Sequence, residues 1–328
     1  MTAGTASAPT TRCGDHTVHW LDDGRQRLGL VPGFGGSAAA WLLHPPADAA
    51  PRQPEVPFHL WRPWFGDPDP FSVASLPLVP WSNRISGGGF ESNGVFHPLA
   101  PNRSGEACPI HGEGWLQAWA VTTHDSHRLD MRLASRHFMD SPYDYIATQS
   151  YRLLPDGIEQ TLTVTHLGDT PLPYGLGQHP WLLRTPGTRV QAQVTGVWLS
   201  HPDRLPRAHT AVAPDWDLSA GINAYGPLID NAFTGWDGMA RIEWPDTGWA
   251  LTVQDATTAS GDGCLLVFRP ETGPSFCVEP VSHPIDAVHL PGRPGLRQLG
   301  PGEAMSQRLR WRFQRTAAPA LSPSSLRA

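Results

Sequence analysis

Proline and glycine constrain this chain more than any other feature. Its 328 residues include 35 prolines and 33 glycines spread along the whole length. That density interrupts any long helix, because proline removes a backbone donor and clashes with the turn before it. Between the breaks the residues read as strands. Residues 158–165 place Leu162 and Val164 on one face and Thr161 and Thr163 on the other, the period-two pattern of a half-buried strand. Residues 241–244 and 249–253 flank Pro245-Asp246-Thr247-Gly248, and residues 151–154 and 158 onward flank Pro155-Asp156-Gly157. Both read as β-hairpins. Short strands joined by turn chemistry predict an all-β sandwich or barrel. No internal repeat is visible. One domain is expected over residues 13–313. Residues 1–12 and the tail 314–328, rich in Ala, Pro and Ser, are expected to be disordered.

Composition narrows the class. Hydrophobic residues make up 40% of the chain, enough for a large core, and the net charge of −6 argues against a nucleic-acid partner, which would call for a basic patch. Lysine is absent, so every basic residue is arginine. Most of the 14 tryptophans are expected in the core. Cys13, Cys108, Cys264 and Cys277 form no C-x-x-C pair, and a chain of this length does not need a disulfide framework. Residues 1–9 carry no apolar run or basic start, and no segment reaches membrane-span length, so the expectation is a cytoplasmic protein without a membrane partner.

Some motifs lead nowhere. Gly33-Phe34-Gly35-Gly36-Ser37-Ala38 fits a dinucleotide fingerprint, but Pro45 and Pro46 end any helix that would follow it. A tight turn between strands is expected there. There is no G-x-S-x-G elbow for a hydrolase serine. His111 does not belong to an H-E-x-x-H pair, and no His, Cys and carboxylate cluster shows metal-ligand spacing, so neither metal nor cofactor is expected.

Four segments carry candidate chemistry. Residues 77–85 end an apolar run with Asn83-Arg84-Ile85. Residues 109–115 set His111 in a glycine-rich turn. Residues 173–181 set His179 before Pro180, which holds it in extended geometry. Residues 276–280 place Glu279 after an apolar stretch, an unusual position for a carboxylate that is neither paired nor functional. His283, also before a proline and near Glu279, is the rival imidazole. A histidine and a carboxylate without a nucleophile or cofactor motif suffice for an enzyme that only moves protons.

These segments, Asn-Arg-Ile, His-Gly-x-Gly-Trp, Gly-x-His-Pro-aromatic and Glu-Pro, occur in the order seen in the aldose 1-epimerase (galactose mutarotase-like) family, which the chain resembles over roughly residues 25–313. Pro142-Tyr143 through Tyr151, residues 228–233 and Pro301-Gly302-Glu303 extend the likeness, and the wording is closest to a less-studied bacterial branch. The resemblance implies a large antiparallel β-sandwich, the supersandwich, with an open cleft on its concave sheet. It implies His179 as general acid, Glu279 as general base and His111 as a second active-site histidine. Asn83, Arg84 and Asp230 match sugar-binding positions. One departure stands out: some members carry Gln on the strand before the catalytic glutamate, where Leu266 falls here.

The implied activity is aldose 1-epimerisation, the exchange of α and β anomers of a free aldose, by a monomer or homodimer. A free Glu has pKa ~4.3 and a free His ~6.5, so a charged carboxylate and a protonated imidazole must coexist near neutrality. Their attraction is expected to raise the imidazole pKa and lower that of the carboxylate. A mutarotase for a phosphorylated hexose would need further cations, for which Arg62 or Arg269 could join Arg84. A sugar-binding or sensing protein on the same fold would have no use for a matched acid and base.

Overall fold

The computed structural model describes residues 9–45, 56–258 and 262–316. Two antiparallel sheets dominate, one of 12 strands and one of nine. Helical structure among the described residues is limited to short 3₁₀ turns, and no helix is long and apolar enough to cross a membrane. The all-β antiparallel fold expected from the sequence is present.

Both expected hairpins form. Strand Met239–Trp244 pairs with Trp249–Asp255, and Asp144–Leu154 pairs with Gly157–His166. In the latter strand Leu162 and Val164 are buried while Thr161 and Thr163 are half-buried, as the alternation requires. Gln26–Val31 and Ser37–Leu43 are antiparallel neighbours, so the glycine-rich stretch between them is a strand-to-strand turn and not a nucleotide loop. Residues 10–12 belong to strand Thr10–Cys13, which pairs with His16–Asp22, and the last strand, Ala304–Arg315, includes residues 314 and 315. The boundaries read from the sequence are corrected at these positions; the rest of the two expected disordered segments, 1–8 and 317–328, lies outside the described residues.

The inner faces of the two sheets share one apolar core. Trp61 from the larger sheet meets Trp311 from the smaller edge-to-face at 5.5 Å, and Trp41 meets Trp61 at 5.3 Å. Such pairs add directional attraction to a large buried area. The opposite face of the larger sheet carries a second apolar cluster that includes Leu76, Leu78, Ala232, Leu266 and Val281. That face bears the cleft. Its middle strands run in the order Phe58–Trp61, Gly177–Leu183, Ser275–Val281, Gly263–Arg269 and Ile229–Trp236. A central strand holds its backbone through hydrogen bonds on both sides, so side chains there are placed rigidly.

Candidate active site

Register builds the centre of the site. Strands Gly177–Leu183 and Ser275–Val281 pair with Gly177 opposite Val281 and Trp181 opposite Cys277, which sets His179 opposite Glu279. On the far side of the same strand, Leu266 lies directly opposite Glu279, and Asp230 lies one strand further on, opposite Phe268. Glu279 therefore sits within its strand, not just after it as the sequence suggested. Side chains alternate faces, so His179 and Trp181, like Cys277 and Glu279, point the same way.

Loops bring the other expected residues to this face. Strand Ser75–Leu78 pairs with the His179 strand and leads into Asn83 and Arg84. Asn83 has φ of 57° and His111 φ of 61°, left-handed conformations costly for non-glycine residues and concentrated at functional sites. The two loops are tied together: the His111 N–H donates to the Asn83 carbonyl at 2.9 Å, and the Asn83 N–H donates to His111 Nδ1 at 3.1 Å. Gly112 follows at φ +68°, where a Cβ would lie 2.2 Å from the Val79 carbonyl oxygen, so only glycine fits this close approach.

The six expected residues, His179, Glu279, His111, Asn83, Arg84 and Asp230, all line one open cavity of about 360 Å³. This lies at the lower end of the range for small-molecule sites, roughly 300–1,000 Å³. At its floor His179 Nε2 is 3.6 Å from Glu279 Oε1, longer than a hydrogen bond. His179 and Glu279 are only 5% and 3% exposed, and both His179 Nδ1 and Glu279 Oε2 lack a partner among the described residues. Burial dominates their titration. It lowers the His179 pKa to about 3, with Arg62 adding to the effect, and raises that of Glu279 well above the usual carboxylate range, with Asp230 adding to the rise against Arg84. The directions expected from mutual attraction are thus reversed: desolvation of each charged form outweighs the pairing. The apolar Leu266 beside Glu279 supplies no donor to hold its charge.

His111 is also kept neutral, first by burial and then by His179, Arg84 and Arg103. Its Nδ1 accepts from the Asn83 backbone, which places the proton on Nε2 and makes that nitrogen a donor. His111 packs edge-to-face on His179 at 5.1 Å, and His179 stacks on Trp181 at 5.4 Å.

The polar rim differs from the expectation of free hydrogen-bonding forks. Arg84 is clamped by Glu106 through Nε and Nη2, both at 2.9 Å, leaving Nη1 beside Asn83 Oδ1 at 3.3 Å. Asp230 is paired with Arg204. Arg103 is held by both oxygens of Asp69. Arg62 differs: its Nε and Nη2 donate to the Val73 and Phe71 carbonyls, and its guanidinium lies over the Trp181 ring at 4.0 Å. Burial lowers its pKa to about 10. Arg269 is not in the cavity; it is buried and donates to the Pro227 and Asn223 carbonyls, which removes it as a cleft cation. His283 is also set apart, since both ring nitrogens are engaged with backbone, Nε2 accepting from Ser82 N–H at 3.0 Å and Nδ1 at 2.8 Å from the Pro284 carbonyl.

Sequence reasoning missed Trp181, Phe268, Phe71, Arg103, Glu106 and Arg204. The first two had a signal, since each lies two residues along a strand from a cleft-facing position; the others come from loops and had none. Cys277 shares that signal, lying two residues before Glu279. Among the described residues His179, Cys277 and Glu279 each offer one ligand atom within 4.8 Å of the others. This corrects the reading that no such cluster has metal-ligand spacing: strand pairing, not sequence spacing, creates it. All four cysteines are free thiols.

Comparison with known proteins agrees with this geometry. The family model for aldose 1-epimerase matches residues 63–312. The chain is 34% identical to the uncharacterised protein YphB of Escherichia coli K12 over 254 residues, 73% of this chain and 84% of that one. A crystal structure of a presumed aldose 1-epimerase from E. coli K12 superposes with a TM-score of 0.81 at 29% identity, covering 91% of this chain and 99% of the other. A galactose mutarotase-like protein from Clostridium acetobutylicum shares the fold, with a TM-score of 0.76 at 17% identity over 92% and 96% of the two chains.

Proposed function

The chain belongs to the aldose 1-epimerase family, and from that premise we propose that it interconverts the α and β anomers of a sugar by ring opening and closure. The observation that carries the reading is the gap of 3.6 Å between His179 Nε2 and Glu279 Oε1 at the cavity floor. A hemiacetal has two oxygens on one carbon, the C1 hydroxyl and the ring oxygen, and this pair bridges such a gap. Glu279 takes the hydroxyl proton while His179 gives one to the ring oxygen. The C1–ring-oxygen bond breaks, a carbonyl forms at C1, and the neutral aldehyde turns about C1–C2 before the steps reverse.

Burial fits this scheme. Neutral His179 with protonated Glu279 holds the same number of protons as protonated His179 with charged Glu279. Burial favours the first, which is also the form left after ring opening. Sugar hydroxyls bonding to Glu279 stabilise its carboxylate and send the shared proton to His179, without exchange with solvent. Each positioned acid or base contributes typically about 10²–10⁴ in rate. The His111 Nε2–H donates to a sugar hydroxyl, and Asp230 and Arg84 Nη1 complete the polar contacts. Phe71, Trp181 and Phe268 supply apolar wall for sugar C–H groups.

A second reading, a phosphorylated hexose as substrate, is favoured by Arg62, which lines the cavity and whose hydrogen-bond partners among the described residues are carbonyls and not carboxylates. NMR exchange of anomers across a sugar panel, with and without a 6-phosphate, tests both. Acceleration only for phosphorylated sugars selects the second. Binding without acceleration of any sugar overturns catalysis and leaves a sugar-binding protein.

A further inference from the structure

Beneath the acid and the base that line the cavity floor lies a fully buried third side chain, Cys277. Cys277 precedes Glu279 by two residues on the same strand and lies opposite Trp181. Its thiol, a carboxylate oxygen of Glu279 and a ring nitrogen of His179 lie within 4.8 Å of one another, with all three residues buried. Glu279 Oε2 has no partner among the described residues, and Glu279 Oε1 and His179 Nε2 stand too far apart, at 3.6 Å, to hydrogen-bond each other, although buried polar atoms are nearly always satisfied. We propose that His179, Cys277 and Glu279 bind a divalent cation of the zinc class, and that this cation displaces the sugar and switches the acid–base pair off.

Geometry and ligand type both select that class. Zinc takes N at about 2.0–2.1 Å, S at about 2.3 Å and O at about 2.0–2.2 Å, so ligand atoms of a tetrahedral site stand roughly 3.3–3.6 Å apart. The His179–Glu279 separation of 3.6 Å already matches. The thiol, within 4.8 Å of both, stands at most about 1.2 Å beyond the upper end of that range, which a small side-chain rotation closes. Thiolate with imidazole favours zinc-like ions over magnesium or calcium, which prefer all-oxygen sites. Of the three, His179 and Glu279 line the cavity, so a fourth ligand would come from that side. Arg62 opposes the cation and Asp230 favours it, and both line the same cavity, so the ligand bonds decide. Binding releases the thiol proton and the proton shared by His179 and Glu279. With its lone pairs on metal, the pair no longer transfers protons.

Only the inhibitory effect rests on reading His179 and Glu279 as the acid–base pair; binding itself does not. Cobalt(II) titration of the full chain tests binding, with a thiolate-to-metal charge-transfer band expected in the wild type and absent in Cys277→Ser and Cys277→Ala. Zinc inhibition of anomer exchange, scaled to each variant's own metal-free rate, tests the effect. Loss of Cys277 is expected to raise the half-inhibiting zinc concentration by at least roughly 10–100-fold, the range lost even with an outer-shell partner. No thiolate band in the wild type, or equal zinc sensitivity with and without Cys277, overturns the site. A thiolate band with unimpaired exchange keeps the site and counts instead against His179 and Glu279 as the proton handlers.

Discussion

The pH profile offers the sharpest test of the site. The His179 pKa falls from 6.5 to about 3, a preference for the neutral ring of about 5 kcal/mol at roughly 1.36 kcal/mol per unit. Glu279 moves the other way for the same reason. Between these two values the free protein holds a single proton on the pair, and the pair titrates as a unit. Because kcat/KM reports the free enzyme, it should be flat between the two limbs. The acidic fall, near pH 3, then belongs to the imidazole gaining a proton, and the alkaline fall to the carboxyl losing one. This reverses the order for two solvated groups, where the carboxylate owns the acidic limb. Glu279→Asp keeps a carboxylic acid and should move the alkaline limb. The assay is anomer exchange by NMR from pH 3 to pH 10, beside carbon-13 titration of the Glu279 carboxyl in the sugar-free protein. An acidic limb that shifts in Glu279→Asp, or a Glu279 carboxyl that ionises near the ordinary carboxylate pKa, would refute the argument that desolvation governs this pair.

Other expectations are simpler. Glu279→Gln should abolish most exchange while leaving sugar binding, read by calorimetry, nearly intact, and His179→Asn should do the same; exchange at the wild-type rate in either removes that residue from the chemistry. His283→Asn should cost about 1–3 kcal/mol of stability, since it strips a buried partner from the Ser82 N–H, yet retain more exchange than His179→Asn; the opposite order makes His283 the acid. Glu113 is 3% exposed, accepts from Ser135 at 2.7 Å, and is raised by burial from 4.5 to about 7. Its contribution to stability is therefore full below pH 4.5 and lost as pH rises through 7, so Glu113→Gln should gain up to about 3 kcal/mol on the wild type between pH 4.5 and pH 8. Equal denaturant midpoints for the two at both pH values would refute that. A chelator should leave exchange unchanged or raise it by stripping inhibitory metal; inactivation reversed by a divalent cation would overturn proton transfer as the whole of the mechanism.

Strand positions were legible in the sequence because alternation and turn chemistry are local. Leu162 and Val164, the Pro155-Asp156-Gly157 turn and the Pro245–Gly248 turn each announce their structure within a few residues. The ordered motifs also named the six polar residues that share the cavity. Other properties belong to the assembled sheet. Period two says which face a residue takes but not which strand lies beside it. Residues 179 and 279 are a hundred positions apart, and only the pairing of their strands sets them across from each other with Leu266 on the far side. The same pairing draws Cys277 into reach, which no spacing could show. Arg84 and Asp230 line the cavity, but their partners Glu106 and Arg204 come from loops with no periodic signal. The directions of the two pKa shifts were misread for a related reason. Residue types suggest attraction, whereas the balance between attraction and desolvation depends on how much water the finished cavity removes, and only the tertiary structure decides that.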